Sequence, residues 1–287
     1  MRISYLGPKG TFTQQAAAIL LPMEKLEPRT NIDDVFSAVV SRECEAGVVP
    51  IENSTEGPVN ATLDALLRED EISITALLDM PISHVIMGSK NAKRILANPQ
   101  ALAQCRGYIR REHPDAELVE CASNGEAARI VAEAIKNNLA FNWAAIGPAA
   151  AAREYNLRIW AKRIQDISSN NTAFIQIEKK ADKIISPGYR ASIAFSAENR
   201  PGALYGMLSI LDSHGINMTK ILSRPIPGNR GEYMFFIDID VENNKEEDVK
   251  SALAGMEKTA AKYKFLGLYP VLREGRLFVA KLKHQKG

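Results

Sequence analysis

The residues best equipped for chemistry stand together between Val48 and Gly57. An apolar run stops at Pro50. Glu52, Asn53, Ser54, Thr55 and Glu56 then bring two carboxylates, an amide and two hydroxyls before Gly57 closes the segment. An apolar run bounded by turn residues reads as a buried strand. In a core, each polar group at its end would need a partner to offset desolvation. These groups suit one wall of a polar pocket on a rigid strand end, where they can bind a substrate and move protons. A simpler reading makes Asn53, Ser54 or Thr55 the cap of a following helix, which needs only one such side chain.

A second polar segment, Gly7-Pro8-Lys9-Gly10-Thr11-Phe12-Thr13, joins the first strand to its helix. Backbone N–H groups at a helix start, together with Lys9, can hold an anion. The glycine spacing is neither that of a Walker loop nor that of a dinucleotide fingerprint. His84, His113, His214 and His284 form no metal-ligand pattern, so no catalytic metal is expected. His84 follows Pro81-Ile82-Ser83 in an apolar strand and reads as a hydrogen-bonded structural histidine. Cys44, Cys105 and Cys121 are an odd count without ligand spacing, which suits reduced thiols in a cytoplasmic protein.

The 287 residues suffice for about two domains. An apolar fraction of 46%, a charged fraction of 24% and a net charge of +2 are those of a globular protein, with no argument for nucleic acid or a membrane surface. No apolar run approaches a membrane span of about 20 residues, and the N-terminus does not resemble a signal peptide. Strands are expected at 2–6, 46–51, 72–78, 82–87, 117–121 and 140–146, alternating with helices after Thr11 or Thr13, from residue 31, and at 60–67, 99–106, 125–136 and 148–155. That alternation argues for an α/β domain with a largely parallel sheet, whose ligands lie at the carboxyl ends of strands. Phe141 and Trp143 are expected to pack its second lobe.

The composition changes across 178–188, where Lys179 to Lys183 and then Ser186-Pro187-Gly188 read as a solvated linker. Beyond it, strands at 191–196, 216–224, 232–241 and 265–269 and helices at 202–213 and 245–261 give βαββαβ, the ferredoxin-like order. A basic tail, 273–287, ends the chain.

Gly7 to Thr13, Pro50-Ile51-Glu52-Asn53-Ser54 and Asn170-Asn171-Thr172-Ala173-Phe174, in this order, resemble the prephenate dehydratase family, as does Ala101-Leu102-Ala103-Gln104-Cys105. Glu198 to Leu204, Gly215-Ile216-Asn217 and Ser223-Arg224-Pro225 are similar to an amino-acid-binding ACT domain of the phenylalanine-responsive type. The resemblance covers about residues 1–272. It implies a two-lobed, periplasmic-binding-protein-like catalytic domain over 1–180, with its second lobe at about 82–160, and an ACT domain over 190–272. The implied reaction converts prephenate to phenylpyruvate with loss of water and carbon dioxide, without a cofactor. By resemblance, Thr172 donates to the leaving hydroxyl, while Glu52, Asn53 and Gln104 line the cleft. Ser54, Thr55, Lys9, Thr11, Ser123, Asn171 and Phe174 complete the substrate site. Gly202, Ala203, Leu204, Asn217, Ser223, Arg224 and Pro225 would meet L-phenylalanine, in a homodimer or a dimer of dimers.

The departures from the family pattern are as informative. Ala173 stands where the family has Arg, Ala97-Asn98 where it has Ser-His, Asn124-Gly125 where it has Thr-Ala, and Leu222 where it has Glu. An Arg fork suits a carboxylate, and losing such a contact costs about 1.5–3 kcal/mol. Two readings follow. Either the chain is a dehydratase whose anchor comes from elsewhere, such as Lys9, Lys162 or Arg163, or it is a diverged paralogue that regulates, or that decarboxylates without aromatising. A third reading, from another class, is a sensor that closes on a dicarboxylate without chemistry.

Overall fold

The computed structural model describes residues 1–139, 141–167, 169–180, 190–226, 232–242 and 244–273. The expected linker falls largely on 181–189 and the expected tail largely on 274–287, both outside the described residues. Along the chain run β1 (Arg2–Leu6), α1 (Phe12–Leu20), β2 (Lys25–Arg29), α2 (Ile32–Val40), β3 (Ala46–Asn53), β4 (Gly57–Pro58), α3 (Asn60–Arg68), β5 (Ile72–Pro81), β6 (Val85–Gly88), β7 (Arg94–Ala97), α4 (Pro99–Gln104), α5 (Arg106–Glu112) and β8 (Glu117–Glu120). There follow α6 (Asn124–Lys136), β9 (Trp143–Gly147), α7 (Ala149–Glu154), β10 (Ile159–Lys162), β11 (Asn171–Lys179), β12 (Arg190–Ser196), α8 (Ala203–Ser213), β13 (Asn217–Pro225), β14 (Tyr233–Asp240), α9 (Glu246–Thr259), β15 (Lys262–Tyr269) and β16 (Val271–Arg273).

These strands make three sheets. The first has the order β16-β5-β11-β3-β1-β2 with β4 on β3, the second β10-β6-β9-β7-β8, and the third β13-β14-β12-β15. The first sheet is mixed and not largely parallel. β1 runs parallel to β2 and β3, but β11 returns from the second lobe and inserts antiparallel between β3 and β5. The chain therefore crosses between lobes twice, through 82–84 and 163–170. The returning crossing delivers Thr172 beside Asn53.

Local sequence accounts for the helices that frame the cleft. Thr11 accepts from Gln14 N–H to start α1, and Ser123 accepts from Glu126 N–H to start α6. Glu126 answers by accepting from Ala122 N–H, so two end donors are satisfied by neighbouring side chains. α6 buries Ala127, Ala128 and Val131 against the second sheet. Phe141 does not pack this lobe: it is 75% exposed, beyond the end of that helix. Trp143 is half-buried, with the Arg94 guanidinium 4.8 Å from its ring centre.

One core spans the first and third sheets. Val35, Phe36, Leu63, Leu66, Ile175 and Ile177 share it with Ala194, Phe236, Leu266 and Tyr269. Gly267 permits this docking: a Cβ there would stand 2.2 Å from the Ile74 carbonyl oxygen. The lobes also meet closely, because a Cβ on Gly125 would stand 2.2 Å from the Lys9 carbonyl oxygen. Lys9 Nζ lies 3.2 Å from Glu154 across the same seam.

Candidate active site

A cavity of about 260 Å³ lies between the two lobes. Its first wall is the carboxyl end of β3 and the start of β11, where Asn53 pairs in register with Thr172. Asn53 Nδ2 donates to Thr172 Oγ1 at 2.8 Å and to Asn170 Oδ1 at 3.0 Å. Its Oδ1 accepts from Thr55 N–H at 2.9 Å, Thr55 Oγ1 at 2.6 Å and Glu56 N–H at 3.2 Å. One side chain thus organises the turn and fixes the Thr172 hydroxyl. The bond has a direction: an amide N–H fills a lone pair on Thr172 Oγ1 and leaves the hydroxyl's own proton to donate. Phe174 and Pro50 line the floor.

The second wall holds Gln104 from α4, with His84, Asn98, Ser123 and Asn124. His84 is buried, its Nε2 is 3.0 Å from Gln104 Oε1, and its ring meets Phe12 edge-on with centroids 5.3 Å apart. Burial pushes the imidazole below its ordinary pKa, while the bond to Gln104 opposes the shift. Burial thus favours the neutral imidazole, and its bond holds the Gln104 amide. Its Nδ1 is buried without a partner among the described residues.

Two departures from the family pattern prove to be one arrangement. Asn124 Oδ1 accepts from Asn98 N–H at 3.0 Å, and Asn98 Oδ1 accepts from Ala101 N–H at 2.8 Å to start α4. No Lys, Arg, Asp or Glu lines this cavity among the described residues. The start of α1 at Thr11 and that of α6 at Ser123 face it, offering the positive ends of two helices. A wider cavity of about 820 Å³ shares Leu6, Thr11, Thr13 and Ser123 with it and carries Lys9, Arg29 and Arg129.

Thr172, Asn53, Gln104, Thr11, Ser123 and Phe174 thus meet in the cleft as expected. Glu52, Ser54, Asn171 and Ala173 do not. They line another cavity, of about 300 Å³, between the first and third sheets. Strand alternation is the reason: Asn53 and Thr172 face the cleft, so the next pair, Glu52 and Ala173, faces the opposite side. Glu52 Oε2 is 2.6 Å from Lys220 Nζ. Asn171 Nδ2 donates to Asp79 at 3.1 Å, and Ser54 Oγ accepts from Asn171 N–H at 2.9 Å. Thr55 is exposed in the turn. Lys9 is held by Glu154 with its side chain 56% exposed, at the wider cavity. Lys162 and Arg163 are exposed and line none of these cavities. The side chain at 173 points to the cavity between the first and third sheets and away from the cleft.

Sequence reasoning passed over Asn170, which is buried and accepts from both Asn53 and Ser54. It marked Asn98 and Asn124 only as departures from the family pattern and gave them no part in holding the cleft. The signal available for Asn170 was its place beside Asn171-Thr172 in the quoted motif.

In the third sheet, Gly202 has φ 77° and starts α8, with Ala203 and Leu204 half-buried at its first turn. Asn217, Ser223 and Pro225 are exposed along β13. Arg224 turns to the first lobe instead, its Nη1 2.5 Å from Asp64 Oδ1 and 3.0 Å from the Asn60 carbonyl oxygen.

Comparison with known proteins agrees with this architecture. Residues 3–182 match the prephenate dehydratase family model and residues 191–253 the ACT domain model. A prephenate dehydratase from Methanocaldococcus jannaschii is 40% identical over 277 residues, covering 94% of this chain and 98% of that protein. The crystal structure of an Arthrobacter aurescens prephenate dehydratase in complex with L-Phe is 31% identical, with TM-score 0.81 over 94% of this chain and 90% of that one. The quorum-quenching acylase GqqA is 25% identical, with TM-score 0.84 over 94% of this chain and 98% of its own. With matches across both parts of its length, this chain belongs to the prephenate dehydratase family and carries an ACT domain at its C-terminal end.

Proposed function

We propose that this protein is a prephenate dehydratase of phenylalanine biosynthesis, with catalysis in residues 1–180 and regulation by L-phenylalanine through residues 190–272. The observation that carries the reading is the Thr172 hydroxyl, held by Asn53 at 2.8 Å in a cleft that no Lys, Arg, Asp or Glu lines among the described residues. In the reaction the bond from the ring to its carboxylate breaks. The electron pair enters the ring, and the hydroxyl leaves with its bonding pair from the para ring carbon. Thr172 donates to that departing oxygen. A threonine is a weak acid, so its placement does much of the work. Gln104, locked by His84, and the starts of α1 and α6 supply neutral donors to the carboxylates. A carboxylate held by neutral donors loses less on becoming carbon dioxide than one held by a cation, so such a site favours the transition state over the bound substrate. Neither step calls for a cofactor.

The likeness to GqqA raises acyl hydrolysis as a second reaction. That chemistry needs a nucleophile beside a base. The partner of Thr172 is an amide, and His84 Nε2 is engaged with Gln104, so the site favours dehydration. The regulatory reading draws support from the L-Phe complex of the Arthrobacter aurescens relative. Among the described residues no helix is long and apolar enough to cross a membrane. A cytoplasmic homodimer, or a dimer of dimers, joined through the ACT domains completes the proposal. Phenylpyruvate formation from prephenate, with and without phenylalanine, tests it: turnover that phenylalanine suppresses is expected, and binding without turnover would leave the paralogue or sensor reading.

A further inference from the structure

One link between the ACT domain and the catalytic strands runs through a side chain that no motif singled out. β13 is an edge strand of the third sheet, and its register shifts between Met218 and Lys220. Met218 packs on the ACT domain's own core. Beyond the shift the inward face turns to the first lobe: Leu222 packs on the core shared with it, and Arg224 reaches Asp64. Lys220 shares that face, with Nζ 2.6 Å from Glu52 Oε2 and the two side chains 22% and 40% exposed.

We propose that Lys220 is a positioning residue for the reaction, acting through Glu52 on the strand end that presents Asn53 and Thr172. The proposal rests on the dehydratase reading above. Glu52 and Asn53 are consecutive, and they pair with Ala173 and Thr172 where the β3–β11 ladder is irregular, just before Phe174. A ladder interrupted there leaves the strand end dependent on what its side chains hold. The Arg that the family pattern places at 173 would stand directly across from Glu52. Here Ala173 leaves that carboxylate to a cation from the regulatory domain.

The surroundings give the pair its effect. Glu52 shares the 300 Å³ cavity with Asp79 and Asp238, and with Arg190, Arg273 and Tyr269. Asp79 is held by Asn171 and Asp238 by Ser192. Among the described residues, Lys220 is the cation in ion-pair contact with Glu52. Without its ammonium, Glu52 keeps no cation in contact: Arg190 and Arg273 share the cavity but make no ion pair with it among the described residues, so its carboxylate is free to shift away from Asp79 and Asp238. Such a movement tilts Asn53 and lengthens its bond to Thr172.

The test compares Lys220→Met with Lys264→Met. Lys264 joins the same two domains through Asp70 and the Leu67 carbonyl oxygen, far along the chain from β3 and β11. Lys220→Met is expected to lower kcat about 2- to 30-fold with KM unchanged, and Lys220→Arg to restore it. Lys264→Met is expected to lower Tm without touching kcat. Amide hydrogen exchange at residues 51–54 and 171–174 is expected to quicken in Lys220→Met and not in Lys264→Met. That readout decides the proposal even if prephenate is not turned over, whereas lack of turnover in the unaltered protein would count against the dehydratase reading alone. Unchanged exchange and kcat in Lys220→Met, or equal changes in both variants, would overturn the positioning role and leave plain domain docking.

Discussion

The two faces of the β3–β11 strand pair differ in charge. On one face Asn53, Thr172 and Phe174 meet amides, hydroxyls and helix starts in a cavity that no Lys, Arg, Asp or Glu lines among the described residues. On the other, one residue along, Glu52 and Ala173 meet Lys220, Arg190, Arg273, Asp79 and Asp238. A single pair of strands thus separates a site suited to aromatisation from a charged junction suited to communication. Changes on the cleft face should strike turnover, and changes on the junction face should strike positioning or regulation.

The sharpest way to break that contrast is Thr172→Ala. Loss of a positioned proton donor should lower kcat about 10²- to 10⁴-fold, while prephenate binding measured by calorimetry stays nearly intact. A smaller effect is expected at the seam between the lobes. Gly125→Ala puts a methyl against the Lys9 carbonyl oxygen, and backbone cannot yield cheaply there. Overpacking of this kind costs about 1–3 kcal/mol and opposes the close approach of the two lobes, so KM for prephenate should rise about tenfold or more. An unchanged KM would mean that the lobes need not close this far.

The cleft face also carries a pH signature. Burial lowers the pKa of His84 in the folded protein. The unfolded chain therefore binds a proton at higher pH than the native one does. The contribution of neutral His84 to stability is fully present above the unfolded value of about 6.5. It is lost as pH falls from there through the folded value. Thermal melts should show Tm falling more steeply below pH 6.5 for the unaltered protein than for His84→Gln; parallel slopes would exclude His84 as the cause. The smallest effect belongs to the junction face. Ala173→Arg should not raise kcat/KM for prephenate, because the new side chain would compete with Lys220 for Glu52. A clear rise would return Ala173 to the substrate site.

Much of this was legible in the residues. The Asn53 and Thr172 motifs, a helix capped at Thr11 or Thr13 and the βαββαβ order of the last domain follow from pattern and turn chemistry. β11 escaped, since Phe174 to Ile177 is buried on both faces and shows no alternation there. β2 escaped for a different reason: Lys25-Leu26-Glu27-Pro28-Arg29 is polar and holds a proline, as an edge strand can. The parting of Glu52 from Asn53 was visible in principle through period-two geometry. Which of the two enters the cleft depends on where the second lobe and the ACT sheet pack, and that is set by contacts between segments far apart in the chain. The same holds for Ala173. Its substitution looked like a lost substrate anchor, and in the fold it is a change at a domain junction.

One measurement bears most directly on the central claim. Purified protein is mixed with prephenate, phenylpyruvate is followed over time, and the Thr172→Ala variant is run beside it with calorimetric binding on both. The account predicts turnover by the unaltered protein and its near-loss in the variant, with similar binding in each. Prephenate binding without phenylpyruvate from the unaltered protein, or equal turnover by the two, would contradict it.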